Sequence, residues 1–283
     1  MMESKLQLAD VQKVELEILK KVAKVCEKEN IRYFLGYGTL IGAIRHNGFI
    51  PWDDDLDIIM PRPDHDRFVE YFLAHPEQFS DLKIFTPEIN PEYPYMITRV
   101  SDDRYRIVMG NEKPYGMGIF IDIYPYDGMG DTWEEAISFE KKGDILSSFC
   151  YQATRKHIEK GFAKSFFMQL VKVPVFLISK AIGKNFFQKL ILKNQVRKKQ
   201  FDKSKYVGNA VWGISGEINT FERKIFGDYS LIEFEDARFR VPVGYDSFLR
   251  CKYGDYMQLP PEKDREPHHN YFAVRKKDYD KIC

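Results

Sequence analysis

GYGTLIGAIRHNGFIPWDDDLDIIMPR, residues Gly36 to Arg62, places Asp53, Asp54, Asp55 and Asp57 within five positions. The acids follow a Pro-Trp corner and run into Leu56, Ile58, Ile59 and Met60. Apolar residues crowding around acids predict a buried strand whose acidic end opens into a cleft. Strand side chains alternate faces, so Asp55 and Asp57 are expected on one face and Leu56 and Ile58 in the core. Two carboxylates on one face repel unless a cation lies between them. Oxygen-only ligands suit Mg²⁺ or Mn²⁺. The bland alternative is a solvated acidic turn.

The residues just upstream weaken that alternative. Arg32 to Gly36 (RYFLG) has the pattern of a short strand. Gly38-Thr39 is expected to open a helix from Leu40 to His46, closed by Asn47-Gly48. Gly38 permits close backbone approach to a ligand. Thr39 is the expected N-cap, and a helix N-terminus holds anions. Arg45 and His46 lie further along the same segment. A phosphate seat thus directly precedes a metal seat, which is the layout of a nucleotidyltransferase-type phosphoryl-transfer site.

Working outward, Gln7 to Asn30 carries Leu8, Val11, Val14, Ile18, Leu19, Val22 and Val25 at three- and four-residue steps, the period of an amphipathic scaffold helix. Pro63 suits the first turn of a helix that Phe68, Phe72 and Leu73 continue to Ala74. Leu82 to Thr86 predicts a strand. Tyr95 to Val100 and Tyr105 to Met109 predict a strand pair joined across Ser101 to Arg104. Arg99 ends the first of these and is a candidate for donor phosphate, against an ordinary surface ion pair. In Gly118 to Tyr124 (GIFIDIY), Asp122 is the only charge in an apolar strand. A carboxylate there is costly unless paired or bound to metal. Asp127, after Pro125-Tyr126, reads as a turn residue. Phe239 to Val243 predicts a strand and Phe248 to Tyr253 a short helix, before the Pro260-Pro261 loop with Arg265, His268 and His269.

GTLIGAIRHNGFIPWDDDLDIIMPR resembles the signature of the LicD phosphotransferases, which include bacterial phosphorylcholine transferases and, distantly, animal phosphoribitol transferases. LPPEKDREPHH near the C-terminal end is similar to a second family segment. The resemblance implies an α/β (α+β) fold with a nucleotidyltransferase-like mixed sheet flanked by helices. It implies a divalent metal and transfer of a substituted phosphate from a CDP-linked donor to a sugar. Such folds carry a third carboxylate beside the first pair, which assigns Asp122 to the metal with Asp55 and Asp57. Gly38, Thr39, Arg45 and Arg99 fall to the donor phosphates. The resemblance adds Arg265 and His268 to donor or acceptor recognition. Asp53 and Asp54 are the candidates for general base. CDP-choline is the favoured donor and a lipid-linked precursor of teichoic acid, lipopolysaccharide or capsule the expected acceptor. A choline headgroup would suit an aromatic cage, drawn from Tyr37, Trp52, Tyr124, Tyr126 and Trp133.

The resemblance leaves the middle unmatched, from roughly Thr132 to Val211. One catalytic chain is therefore expected in three parts: a core at 1–131, a basic helical insertion at 132–211 and a completing segment at 212–283. Between Arg155 and Lys205 stand fourteen Lys and Arg against Glu159 and Asp202, interleaved with Phe, Leu, Val and Ile. Lys172 and Pro174 break the apolar run, so it does not suit a bilayer span. It fits either a helix lying in the headgroup plane or a hairpin packed on the core.

The whole chain of 283 residues has a formal net charge of +1, and nothing in that balance points to nucleic acid. Its 17 Tyr and 22 Phe fit a packed core. Cys26, Cys150, Cys251 and Cys283 form no CxxC pair, which argues against zinc. Free cysteines and no signal-peptide pattern lead us to expect a cytoplasmic enzyme, peripheral at the inner membrane face if 155–205 meets lipid. Other readings are a phosphoribitol or phosphoglycerol transferase, an enzyme moving NMP, and a non-catalytic nucleotide-binding protein.

Overall fold

A computed structural model describes residues 5–112, 115–158, 166–196, 200–212, 218–267, 269, 271–279 and 281. In chain order the elements are α1 (Leu8–Lys28), β1 (Phe34–Leu35), α2 (Tyr37–His46), β2 (Asp57–Pro61) and α3 (Arg62–Ala74). There follow β3 (Leu82–Phe85), β4 (Thr98–Asp102), β5 (Tyr105–Met109), β6 (Phe120–Gly130), α4 (Trp133–Thr154), α5 (Phe166–Ile182) and α6 (Lys184–Asn194). The chain closes with β7 (Tyr206–Gly208), β8 (Thr220–Glu222), β9 (Tyr229–Phe234), β10 (Ala237–Pro242), α7 (Tyr245–Tyr253), β11 (Tyr271–Arg275) and α8 (Lys276–Tyr279).

The architecture is α/β. A seven-stranded mixed sheet runs β1-β2-β6-β4-β3, with β7 on the later part of β6 and β8 on β7. Only β2 and β6 are parallel within it; the other pairs are antiparallel. Helix α1 packs against β6 and β4, and α3 against β2 and β6. The apolar stripe expected of α1 is buried: Val11, Val14, Ile18, Leu19 and Val22 all face inward. Strand β2 is buried at every position, so its acidic start is held in the interior.

Two strand expectations need correction. β5 pairs with β11 rather than β4, because β3 and β6 already occupy both edges of β4. β6 runs on to Gly130 instead of stopping near Tyr124. On one edge it pairs with β4 through residues 120–123 and with β7 through 127–130. Pro125 falls between these partners, where its missing N–H breaks no ladder bond on that edge. Asp127 is therefore a strand residue, nearly fully buried and bound by both oxygens to Arg62 at 2.8 and 2.7 Å. The basic segment is helical through α4, α5 and α6, with a small core of its own around Cys150, Phe187 and Ile191. It re-enters the sheet through β7.

Candidate active site

Strand register assembles the centre of the site. Asp57 on β2 stands opposite Asp122 on β6, and Asp122 stands opposite Arg99 on β4. In-register neighbours project to the same face of a sheet. The three charges therefore form a row across three strands. Arg99 binds Asp122 through Nε to Oδ1 at 2.6 Å and Nη2 to Oδ2 at 3.3 Å. Its guanidinium lies between the Tyr95 and Phe120 rings, 4.1 and 4.0 Å from their centroids.

The other acids sit on the loop that enters β2. Asp53 N–H donates to the Ile50 carbonyl at 2.9 Å, and Gln12 Nε2 of α1 donates to the Asp53 carbonyl at 2.8 Å. Tyr271 O–H donates to the Asp54 carbonyl at 2.8 Å, and Asp122 N–H to the Leu56 carbonyl at 2.8 Å. Thr39 is not the N-cap of α2; that position belongs to Gly36. Its hydroxyl instead accepts the Asp57 N–H at 2.8 Å, fixing the first residue of β2. Gly38 also serves the acids: a Cβ there would stand 2.7 Å from an Asp53 oxygen.

One oxygen each from Asp53, Asp54 and Asp55 lies within 4.8 Å of the others. Burial, reinforced by Asp55, pushes the Asp53 carboxyl up to about 9. Burial also raises Asp57 well above the carboxylate range, with Asp55 and Asp122 adding to it. Asp55 is raised by burial too, although His269 opposes the shift. Asp57 Oδ1 is buried and has no hydrogen-bond partner among the described residues. A buried acceptor left without a donor is costly. The grouped oxygens of Asp53, Asp54 and Asp55 are donors that fit a hard divalent cation, and among the described residues Asp57 and Asp122 are not part of that group.

Two further groups join the site beyond the candidates that the sequence marks. Glu15 of α1 is almost fully buried, and its Oε2 has no hydrogen-bond partner among the described residues. Burial raises its carboxyl, and Asp55, Asp54, Asp53 and Asp122 raise it further, which sets it against the acid loop. The signal was present: Glu15 occupies a position of the inward stripe with Val11, Val14 and Ile18. His269 is the second. Its Nδ1 lies 3.1 Å from Asp54 Oδ1 and its backbone N–H donates to Asp54 Oδ2 at 3.2 Å. Burial alone would lower its imidazole, but the Asp54 hydrogen bond together with the charges of Asp55 and Asp54 raises it. His268 lies outside the described residues.

Arg45 and Arg265 are brought together from opposite ends of the chain. Arg45 Nη1 donates to the carbonyls of Tyr256 at 2.7 Å and Gln258 at 3.3 Å. Arg265 Nε donates to the Pro260 carbonyl at 2.9 Å, and its guanidinium sits 5.5 Å over the Trp52 ring. Burial lowers Arg45, and the charge of Arg265 lowers it further. Two neighbouring guanidinium groups beside Trp52 and the acid loop form a cationic wall suited to phosphate. The aromatic candidates divide. Tyr37 packs against Tyr124 at 4.8 Å and shares a hydroxyl hydrogen bond with Tyr126. Trp133 follows the far end of β6, about 26 Å along the strand from Asp122.

The model of the LicD/FKTN/FKRP nucleotidyltransferase domain matches residues 30–176. Over 273 residues the chain is 34% identical to the lipopolysaccharide cholinephosphotransferase LicD of Haemophilus influenzae, covering 94% of this chain and 97% of that one. The chain belongs to the LicD family. It is a phosphotransferase of the LicD type. The ribitol 5-phosphate transferases FKRP of mouse and human are each 45% identical over 42 residues, 15% of this chain and 8% of theirs. The LicD domain match takes in Asp53 to Asp57, Arg99 and Asp122, the residues that strand register and the acid loop bring together.

Proposed function

We propose that this LicD-family enzyme transfers phosphocholine from CDP-choline to a sugar hydroxyl of a cell-surface glycan precursor. The observation that carries the donor choice is the extent of likeness. The cholinephosphotransferase matches along nearly its whole length, whereas the ribitol phosphate transferases match over 42 residues. Asp55, Asp57 and Asp122, with Asp53 and Asp54 beside them, would hold Mg²⁺ or Mn²⁺. A bound ion of this kind neutralises charge on the donor pyrophosphate.

The protein's own groups carry the rest. Arg45 and Arg265 bind the donor phosphates, and the start of α2 presents backbone N–H groups on the same side as the acid loop. Arg99 orients Asp122, since its Nε and Nη2 are both directed at that carboxylate. Asp54 orients His269, whose Nε2 is then the base for the acceptor hydroxyl. The acceptor oxygen forms a bond to phosphorus, the phosphorus–oxygen bond to CMP breaks, and the hydroxyl proton passes to His269.

The test is a panel of CDP-choline, CDP-ethanolamine, CDP-ribitol and CDP-glycerol with Mg²⁺ and glycan acceptors, measuring CMP and transferred product together. CDP-choline is expected to turn over fastest. Turnover of CDP-ribitol or CDP-glycerol without choline transfer would overturn the donor assignment. Release of pyrophosphate instead of CMP would mark an NMP transferase.

A further inference from the structure

Helix α5 presents an apolar face to solvent. Val173, Leu177, Ile178 and Ile182 are 44%, 60%, 49% and 47% exposed, and Pro174 and Ala181 beside them are exposed as well. At about 100° per residue these six positions fall within one half of the helix surface. The opposite face, with buried Ser179 and half-buried Val175 and Phe176, packs toward α4. Lys180 turns to that side, its Nζ donating to the Ala153 carbonyl at 3.1 Å. The usual amphipathic order is thus reversed: the apolar half of α5 is the outer half. Among the described residues no helix is long and apolar enough to cross a membrane.

The charge of the segment that carries this face selects what covers it. Residues 155–205 hold fourteen Lys and Arg against two acids, in a chain whose formal net charge is +1. Two copies meeting through α5 would bring two strongly basic arms together. An anionic headgroup layer complements both the apolar face and the net basic charge of the segment that carries it. We propose that α5 lies in the interfacial plane of an anionic lipid membrane, with Val173, Leu177, Ile178 and Ile182 among the acyl chains.

The arm is tied to the wall of the acid site. At the end of α4, Arg155 binds Glu112 at 2.7 Å and approaches the Tyr95 hydroxyl at 3.4 Å. Tyr95 is the ring that stacks on Arg99. At the start of α6, Gln188 Nε2 donates to the Tyr93 carbonyl at 2.8 Å, and Lys184 Nζ donates to the Pro91 carbonyl. A membrane on α5 would therefore hold the site beside the lipid surface. The contact does not depend on which donor the site uses.

The test uses the full-length protein with vesicles of phosphatidylcholine alone and of phosphatidylcholine mixed with phosphatidylglycerol. Co-sedimentation is expected with the mixed vesicles and should weaken as salt rises, because the surface potential is screened. Leu177→Glu with Ile178→Glu should reduce this binding by about tenfold or more, since both side chains would meet hydrocarbon as charges. Circular dichroism and melting temperature should be unchanged, because both positions are exposed. As an independent probe, Leu177→Trp should show blue-shifted fluorescence with mixed vesicles. Wild-type protein that ignores both vesicle types, a double variant that sediments like wild type, or no fluorescence shift would each overturn the proposal. So would a wild-type dimer that the double variant converts to monomer, which would assign the face to a second copy.

Discussion

Asp57→Asn separates the cost of the acid cluster from its use. Asp57 Oδ1 is buried with no hydrogen-bond partner among the described residues, and Asp55, Asp122, Asp53 and Glu15 all disfavour its charge. An unsatisfied buried polar atom costs about 1–3 kcal/mol. The substitution replaces a carboxyl whose charge burial and the neighbouring acids disfavour with a neutral amide, which can donate to the neighbouring carboxylates. Without metal, the variant should therefore be more stable than wild type by about 1–3 kcal/mol. In a chain of this size each kcal/mol moves the melting temperature by about 2–4 °C, so the expected gain is about 2–12 °C. Activity should move the other way. Loss of one essential metal ligand removes several kcal/mol of transition-state stabilisation, roughly a thousandfold in rate. The assay is a pair of melts, in EDTA and in Mg²⁺, together with CMP release. Wild type should gain stability from Mg²⁺ and the variant should lose most of that gain. A variant that melts below wild type in EDTA while releasing CMP at a near wild-type rate would refute the reasoning.

Three further outcomes are expected. Glu15→Gln should weaken Mg²⁺ dependence by about tenfold with much of the rate recovered at saturating Mg²⁺, as expected of a residue behind the ligands; an unchanged Mg²⁺ titration would separate Glu15 from the site. His269→Gln should lower kcat by about a hundredfold or more with little change in donor KM, the signature of a lost general base; a pure KM effect would make it a binding residue. Asp103 is surrounded by Lys276, Lys83 and Arg106. Burial alone would raise its carboxyl, but hydrogen bonds from Lys276 and Lys83 and the charge of Arg106 hold it down to about 2. A carboxyl depressed on folding contributes stability above its unfolded value, and that contribution is lost as pH falls through the folded value. Asp103→Asn should therefore destabilise at neutral pH, by no more than about 1 kcal/mol after solvent screening. The difference from wild type should close between about pH 4 and pH 2; a difference that persists at pH 2 would point to packing instead.

Much of the site was legible in the linear chain because its signals are local. The stripe of α1, Pro63 at the start of α3, and the acids running into a buried strand act through residues a few positions apart. Asp122 stood out because a lone charge in an apolar strand needs a partner. Local patterns carry no register, however. That Asp57, Asp122 and Arg99 share one row follows from three strand pairings between segments far apart in sequence. Arg99 meets the Asp122 carboxylate directly, a contact its position at the end of a predicted strand did not specify. The exchange of β4 for β11 as the partner of β5 depends on which edges were already filled. His269 reaches Asp54 across 215 residues, and adjacent histidines look alike in the chain until the loop is placed. Glu15 and the outward apolar face of α5 follow the same rule. A periodic pattern tells which residues share a side of a helix, while only the packed neighbours decide whether that side meets a carboxylate loop, a core or solvent.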